Sequence, residues 1–566
     1  MSIRSVATGV RSQTLATRAR SAAGHLPVVL EIDLDRGLLE DQPAGAVSAV
    51  RAWGSPRLQT VVDGLRAARG DRDARGLIVR LGGHSPGFAV VQALRNAVVD
   101  FAGSGKPTVC FAESFGELSQ SMSGYLLATA CDTVFLQPSG AVGIGGVSAS
   151  AVYVRGALDR LGVQPEMDRR HEYKSAADTF VSRDMTEPNR VMLAQVVSSL
   201  AEHSLALVAA SRGLEPAAVT AAVAESPVPA MRALELGLVD RLGYADDAYA
   251  DVREQAGCTA IRYVERHHRR GSAPRRLTGR TVAMVPVTGA IVAGSGAPGR
   301  SRGSATSGSV TAALRAAASE SVAAVVLRVN SPGGSYVASD AIRHQVRRLR
   351  ADGIPVVAAM GSVAASGGYF VSMGADEIVA APGSLTGSIG VLGGKGVISD
   401  LLAKGGVVGR TLGSHPHADM MSPLRAFSDE EWAKLQAFLD SVYADFTTKA
   451  AEDRDMDVAE LEPHARGRVW TGVDAVKLGL VDRLGDLHDA VRLAARLAGA
   501  DPDHVRVKGY PHQSWLAKVR PAENSDRSAA ALQVPTTPEG LLGAMTSALG
   551  VTPAGILQLP CHWRLS

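Results

Sequence analysis

Along this chain the apolar residues come in short unbroken runs, closed by glycine or proline and separated by longer mixed stretches. "GLIVRL" (76–81) and "AAVVLRV" (323–329) are two such runs. Continuous apolar runs of this length read as strands buried on both faces. Each is followed by a helical stretch, "VVQALRNAVVDFAGSG" and "ASDAIRHQVRRLRADG", and then by another apolar run. Strand, helix, strand, helix predicts right-handed crossovers and a mainly parallel sheet. The expected fold class is α/β.

The pattern occurs twice. "LGLVDRLG" stands at Leu236–Gly243 and again, letter for letter, at Leu478–Gly485. A near-constant shift also aligns "ARGLIVRLGGHSPG" with "VAAVVLRVNSPGGS" and "GKPTVCFAESF" with "GIPVVAAMGSV". It aligns "SGYLLATACDTVFLQPSGAVGIGG" with "GGYFVSMGADEIVAAPGSLTGSIG" as well. Collinear matches of this kind mark an internal duplication. The expected organisation is a basic flexible tail at 1–25, an α/β repeat at 26–258, an Arg-rich linker at 259–280, a second α/β repeat at 281–508, and a linker with an apolar tail at 509–566. The linker contains "RYVERHHRRGSAPRRLTGR", with seven arginines against one glutamate.

Composition alters this picture little. Hydrophobic residues make up 46% and charged residues 20%, as in a globular protein. Lys plus Arg is 59 against 56 acids, a balance that does not suit a nucleic-acid binder. Cys110, Cys131, Cys258 and Cys561 show no CxxC or CxxH spacing, so buried thiols are expected rather than disulfides or a metal site. No apolar run reaches the roughly 18 residues of a membrane span. Arg4, Arg11, Arg18 and Arg20 lie near the N-terminus without an apolar core beside them, which is not a secretory signal. The expected location is therefore membrane-associated or cytoplasmic, with peripheral membrane contact through the basic or apolar tails.

Candidate chemistry gathers at "AASGGYF". Ser366 follows a strand-like run and is trailed by glycines, as at a nucleophile elbow; the alternative is a helix cap. "NSPGGS" (330–335) ends the preceding strand, and Gly333 and Gly334 can turn N–H groups toward the same sheet edge. With Gly367 N–H they could form an oxyanion hole. No base is evident nearby. His344, His415 and His417 have no triad-like context, and Lys395 and Lys404 lie among loop glycines. The repeat points elsewhere. Met122 stands where the second half has Ser366, and the first half carries Lys174 in "EYKSAAD" where the second has Ala418. One half lacks the serine; the other lacks the lysine. A desolvated lysine can act as a base.

These motifs together ("AASGGYF", "NSPGG", "TGSIGV" and "EYKSAADTF") resemble the family of signal peptide peptidase A (protease IV) in its long, duplicated form. The resemblance covers roughly residues 26–508. It implies two tandem homologous domains of Clp protease/crotonase-like fold and a serine endopeptidase using a Ser/Lys dyad. It further implies Ser366 as nucleophile, Lys174 as general base and acid, Ser388 supporting the lysine, and Gly367, Gly333 and Gly334 as oxyanion donors. No cofactor or metal is implied. The implied partners are peptide substrates such as signal-peptide remnants, and further copies of the chain, with a tetramer expected. Two other readings compete: a crotonase-fold acyl-CoA enzyme, and a non-catalytic membrane-associated scaffold.

Overall fold

The computed structural model describes residues 27–40, 54–82, 86–117, 119–271, 279–294, 303–511, 557–558 and 564–565. The basic N-terminal tail, Cys561 and nearly all of the C-terminal tail lie outside the described residues.

Each half is built on its own sheet. In the first, the strand order is Ala260–Tyr263, Val28–Asp33, Ala74–Leu81, Thr108–Ala112, Thr133–Leu136, Arg241–Leu242, all parallel. In the second, Arg506–Gly509, Thr281–Thr288, Ala324–Ser331, Val356–Ala365, Glu377–Ala380 and Arg483–Leu484 follow the same order, again parallel. The duplication read in the sequence is thus a duplication of topology. It extends to single bonds. Tyr125 Oη donates to Leu238 O at 2.6 Å, and Tyr369 Oη donates to Leu480 O at 3.1 Å. Arg212 pairs with Asp240 at 2.7 Å, and Arg454 with Asp482 at 2.6 Å.

Apolar runs are unbroken because both sheet faces are covered. Val325, Leu327 and Val329 face one core with Leu314, Ile342 and Phe370. Ala324 and Val326, one residue out of step, face another with Leu493 and Ala494.

The Arg-rich stretch is not all linker. Ala260–Tyr263 is the edge strand of the first sheet, and Val264–Gly271 forms a helix beside it. The counterpart of that strand in the second half, Arg506–Gly509, likewise closes its sheet. An edge strand is paired on one side only and this one is incompletely buried, so it tolerates arginine and loses the apolar signature that marks the central strands.

One helix among the described residues, Glu187–Arg212, is long and apolar enough to cross a membrane. In the fold its Met192, Val196, Leu200 and Val208 are buried in the first core, and the matching helix of the second half is Asp429–Arg454.

The halves are joined by backbone pairing. Gln164–Arg169 of the first half pairs antiparallel with Leu392–Val397 of the second, and Arg170 N donates to Val391 O at 2.9 Å. Ser199 Oγ and Thr471 Oγ1 meet at 2.7 Å in the buried seam, and Gly383 N donates to Gln92 Oε1 at 2.8 Å.

Candidate active site

Ser366 ends the strand Val356–Ala365 and precedes the helix Gly367–Met373. Its backbone has φ 55° and ψ −115°, a conformation few non-glycine residues adopt. The surroundings enforce it. Ser366 N donates to Gly387 O and Phe370 N donates to Ser366 O, both at 2.8 Å. The side chain makes no capping bond to its helix, so the turn is not an ordinary N-cap. The glycines after it are needed for close approach. A methyl group on Gly368 would stand 2.5 Å from Ser331 O, and one on Gly367 would stand 3.1 Å from Gly334 N. The two glycine-rich turns are therefore packed against each other at one sheet edge.

Within the second turn, Gly333 and Gly334 have φ of 107° and 153°. Ser331 Oγ accepts from Gly333 N at 3.1 Å and donates to Gly289 O at 2.6 Å. Gly333 N–H is thus already engaged by its own turn. The outer edge of Gly333–Gly334 pairs antiparallel with Leu557–Gln558.

Lys174 reaches this place from the other half. The cross-half pairing carries the chain to Arg170, and four residues later the lysine side chain enters the second half. Its Nζ lies 2.7 Å from Ser366 Oγ, 2.8 Å from Ser388 O and 2.9 Å from Ser388 Oγ. Lys174, Ser366 and Ser388 are all fully buried. Among the described residues no carboxylate bonds the lysine, and burial holds its pKa well below the ordinary lysine range. Just beyond the lysine, Asp178 is buried, pairs with Arg169 and accepts from Thr186 Oγ1 at 2.8 Å, which closes the turn.

Other candidate bases lie elsewhere. Lys395 Nζ donates to Met420 O at 2.7 Å and sits over the Phe427 ring; His417 faces Glu430. Met122 is buried at the head of its helix, and Ala418 is exposed on a turn. The structure brings Ser366, Lys174, Ser388, Gly367, Gly333 and Gly334 into one cluster.

Two supports were not read from the sequence. Gly467, at φ 86°, lies against the lysine backbone so closely that a methyl group there would stand 2.5 Å from Lys174 N. The Arg468 guanidinium sits between the rings of Tyr173 and Trp470, 4.6 Å from each centroid. Only the "RGR" spacing hints at them, and without the fold it reads as one more basic turn.

The model of peptidase family S49 matches residues 101–259 and 348–501. Protease 4 of Salmonella typhi is 34% identical over 465 residues, covering 79% of this chain and 72% of that protein. The chloroplastic serine protease SPPA of Arabidopsis thaliana is 30% identical over 429 residues, 73% of this chain and 62% of that one. Protease 4 of Haemophilus influenzae is 27% identical over 468 residues, 78% and 73% respectively.

Proposed function

This chain belongs to peptidase family S49 and is a serine peptidase, and from that premise we propose that Ser366 and Lys174 form its catalytic dyad. The observation that carries the reading is the 2.7 Å contact between Lys174 Nζ and Ser366 Oγ, both buried, with no carboxylate bonded to the lysine among the described residues. A neutral amine has two hydrogens and one lone pair. With the hydrogens given to Ser388 O and Ser388 Oγ, the lone pair faces the Ser366 hydroxyl.

The reaction is then acyl transfer. Ser366 Oγ attacks the peptide carbonyl as its proton passes to Lys174 Nζ; the ammonium returns that proton to the leaving amine. Water then attacks the ester carbonyl as the same amine takes its proton; the Ser366 Oγ–acyl bond breaks, and the ammonium returns the proton to Ser366 Oγ. Oxyanion stabilisation is assigned to the Gly367 N–H beside the Gly333–Gly334 turn, in which Gly333 N–H is held by Ser331 Oγ. The Gly333–Gly334 edge accepts an extended segment in antiparallel pairing, the mode that would hold a peptide by its backbone.

The substrates proposed are cleaved signal peptides and other small apolar peptides. The active form is proposed to be a homo-oligomer, a tetramer, with peripheral contact to a membrane. Light scattering of the purified chain tests the oligomer. Hydrolysis of a fluorogenic apolar peptide tests the dyad. Ser366→Ala and Lys174→Ala should each reduce kcat by more than about 1,000-fold, as removal of a unit of the catalytic machinery does. Both should leave the fold intact. Full turnover in Lys174→Ala would falsify the dyad.

A further inference from the structure

The strand that carries Ser366 changes partner partway along. Val357–Ala359 pair with Glu377–Val379, whereas Val363–Ala365 pair with Leu385–Gly387. On the opposite edge the register slips: Val329 faces Met360, but Ser331 faces Ala364. Gly361, Ser362 and Val363 therefore form a bulge, and a bulge re-aims the strand beyond it. What lies beyond it is Ser366.

A bulge takes backbone polar groups out of the ladder, and buried groups need other partners. Gly361 O accepts from Ser384 Oγ at 2.7 Å, and Val363 N donates to Asn330 Oδ1 at 3.2 Å. Ser362 is held from the other half of the molecule. Its N–H donates to Glu40 Oε1 at 2.9 Å and its Oγ donates to Glu40 Oε2 at 2.7 Å. Arg328 Nη2, on the neighbouring strand, donates to the same carboxylate at 2.9 Å. The Glu40 and Arg328 side chains are only 17% and 13% exposed, so the pair is partly desolvated and its charged bonds are correspondingly strong. Gly361 permits the approach, since a methyl group there would stand 2.9 Å from Glu40 Oε1.

We propose that Glu40 is a positioning residue for the peptidase reaction, clamping the Gly361–Val363 bulge so that Ser366 is aimed at Lys174. The first half then supplies two parts of the site: the lysine that meets the serine and the carboxylate that fixes the serine's strand. This rests on the dyad reading, because what is positioned is the Ser366–Lys174 contact.

The test uses the full chain, with kcat and KM on a fluorogenic peptide, the rate of Ser366 labelling by a fluorophosphonate, and the thermal midpoint. Glu40→Ala should lower kcat and the labelling rate together by about 10- to 100-fold, the scale of a misplacement near 1 Å. KM should stay within about threefold, since the clamp does not bind the peptide. Glu40→Gln keeps an acceptor for Ser362 N but loses the ion pair with Arg328, and should fall between; it carries the test if the alanine variant fails to fold. Arg66→Ala is the control, because it removes another contact between the halves, Arg66 Nη2 to Asp486 Oδ2 at 2.7 Å. It should lower the midpoint without lowering kcat.

Wild-type kcat in both Glu40 variants would overturn the proposal. So would an equal loss of kcat in Arg66→Ala at the same midpoint, which would make the effect mere loosening of the seam. Ser366→Ala and Lys174→Ala separate the two readings. Turnover in those variants removes the dyad itself, whereas inactive dyad variants beside a wild-type Glu40→Ala remove only the clamp.

Discussion

Among the described residues Lys174 bonds no carboxylate that would stabilise its ammonium form, and that sets its chemistry. Burial disfavours the charged amine, so its pKa lies well below the usual 10.5. The form needed to accept the Ser366 proton is the neutral one, and its fraction grows as pH rises through the folded-state pKa. kcat/KM should therefore climb with pH along a single-proton limb, and the depressed pKa moves that limb below the ordinary lysine range. A pH–rate profile on a neutral peptide checks this; a limb centred at 10.5 or above would mean the lysine is not desolvated during turnover. The serine and lysine were both legible as residues because each stands opposite a chemically inert partner in the other half, Met122 and Ala418. Glu40 and Gly467 were not legible. Their roles consist of contacts to Ser362 and Lys174, which are far away in sequence, and neither belongs to a motif.

At the scale of elements, the cross-half pairing of Gln164–Arg169 with Leu392–Val397 delivers the lysine. Gly394 lies inside that pairing, and a methyl group on it would stand 2.1 Å from Glu166 O. Gly394→Ala must push the two strands apart. Its expected effect is a loss of kcat of about 10-fold or more, as displacement of a catalytic group produces, while both sheets remain folded. Peptide turnover beside circular dichroism measures the two separately. Neither strand stands out in the sequence. Gln164–Arg169 reads "QPEMDR" and Leu392–Val397 reads "LGGKGV", with no run of β-branched residues and no clean alternation. They are strands because they find each other. The edge strand Ala260–Tyr263 was missed for a related reason, since it is a short strand that includes Arg262 and adjoins a run of arginines.

Across the whole molecule, one chain contains both members of the proposed dyad, because the two halves share a seam. Mixing Ser366→Ala with Lys174→Ala chains should restore no activity, since every site in the mixture still lacks one residue. Recovery of about a quarter of wild-type turnover, the statistical yield of sites shared between two chains, would place the working contact between chains rather than within one. The sequence by itself determined the α/β class, the duplication and the division of serine and lysine between the copies. Those follow from local hydrophobic pattern and from comparing the chain with itself, and both are readable without coordinates. Only the tertiary structure decided that the two residues meet and that a carboxylate from the first half holds the serine strand. The physical reason is that these are contacts between segments up to several hundred residues apart. Strand pairing and seam packing fix them, and no local pattern encodes which distant residue will stand opposite.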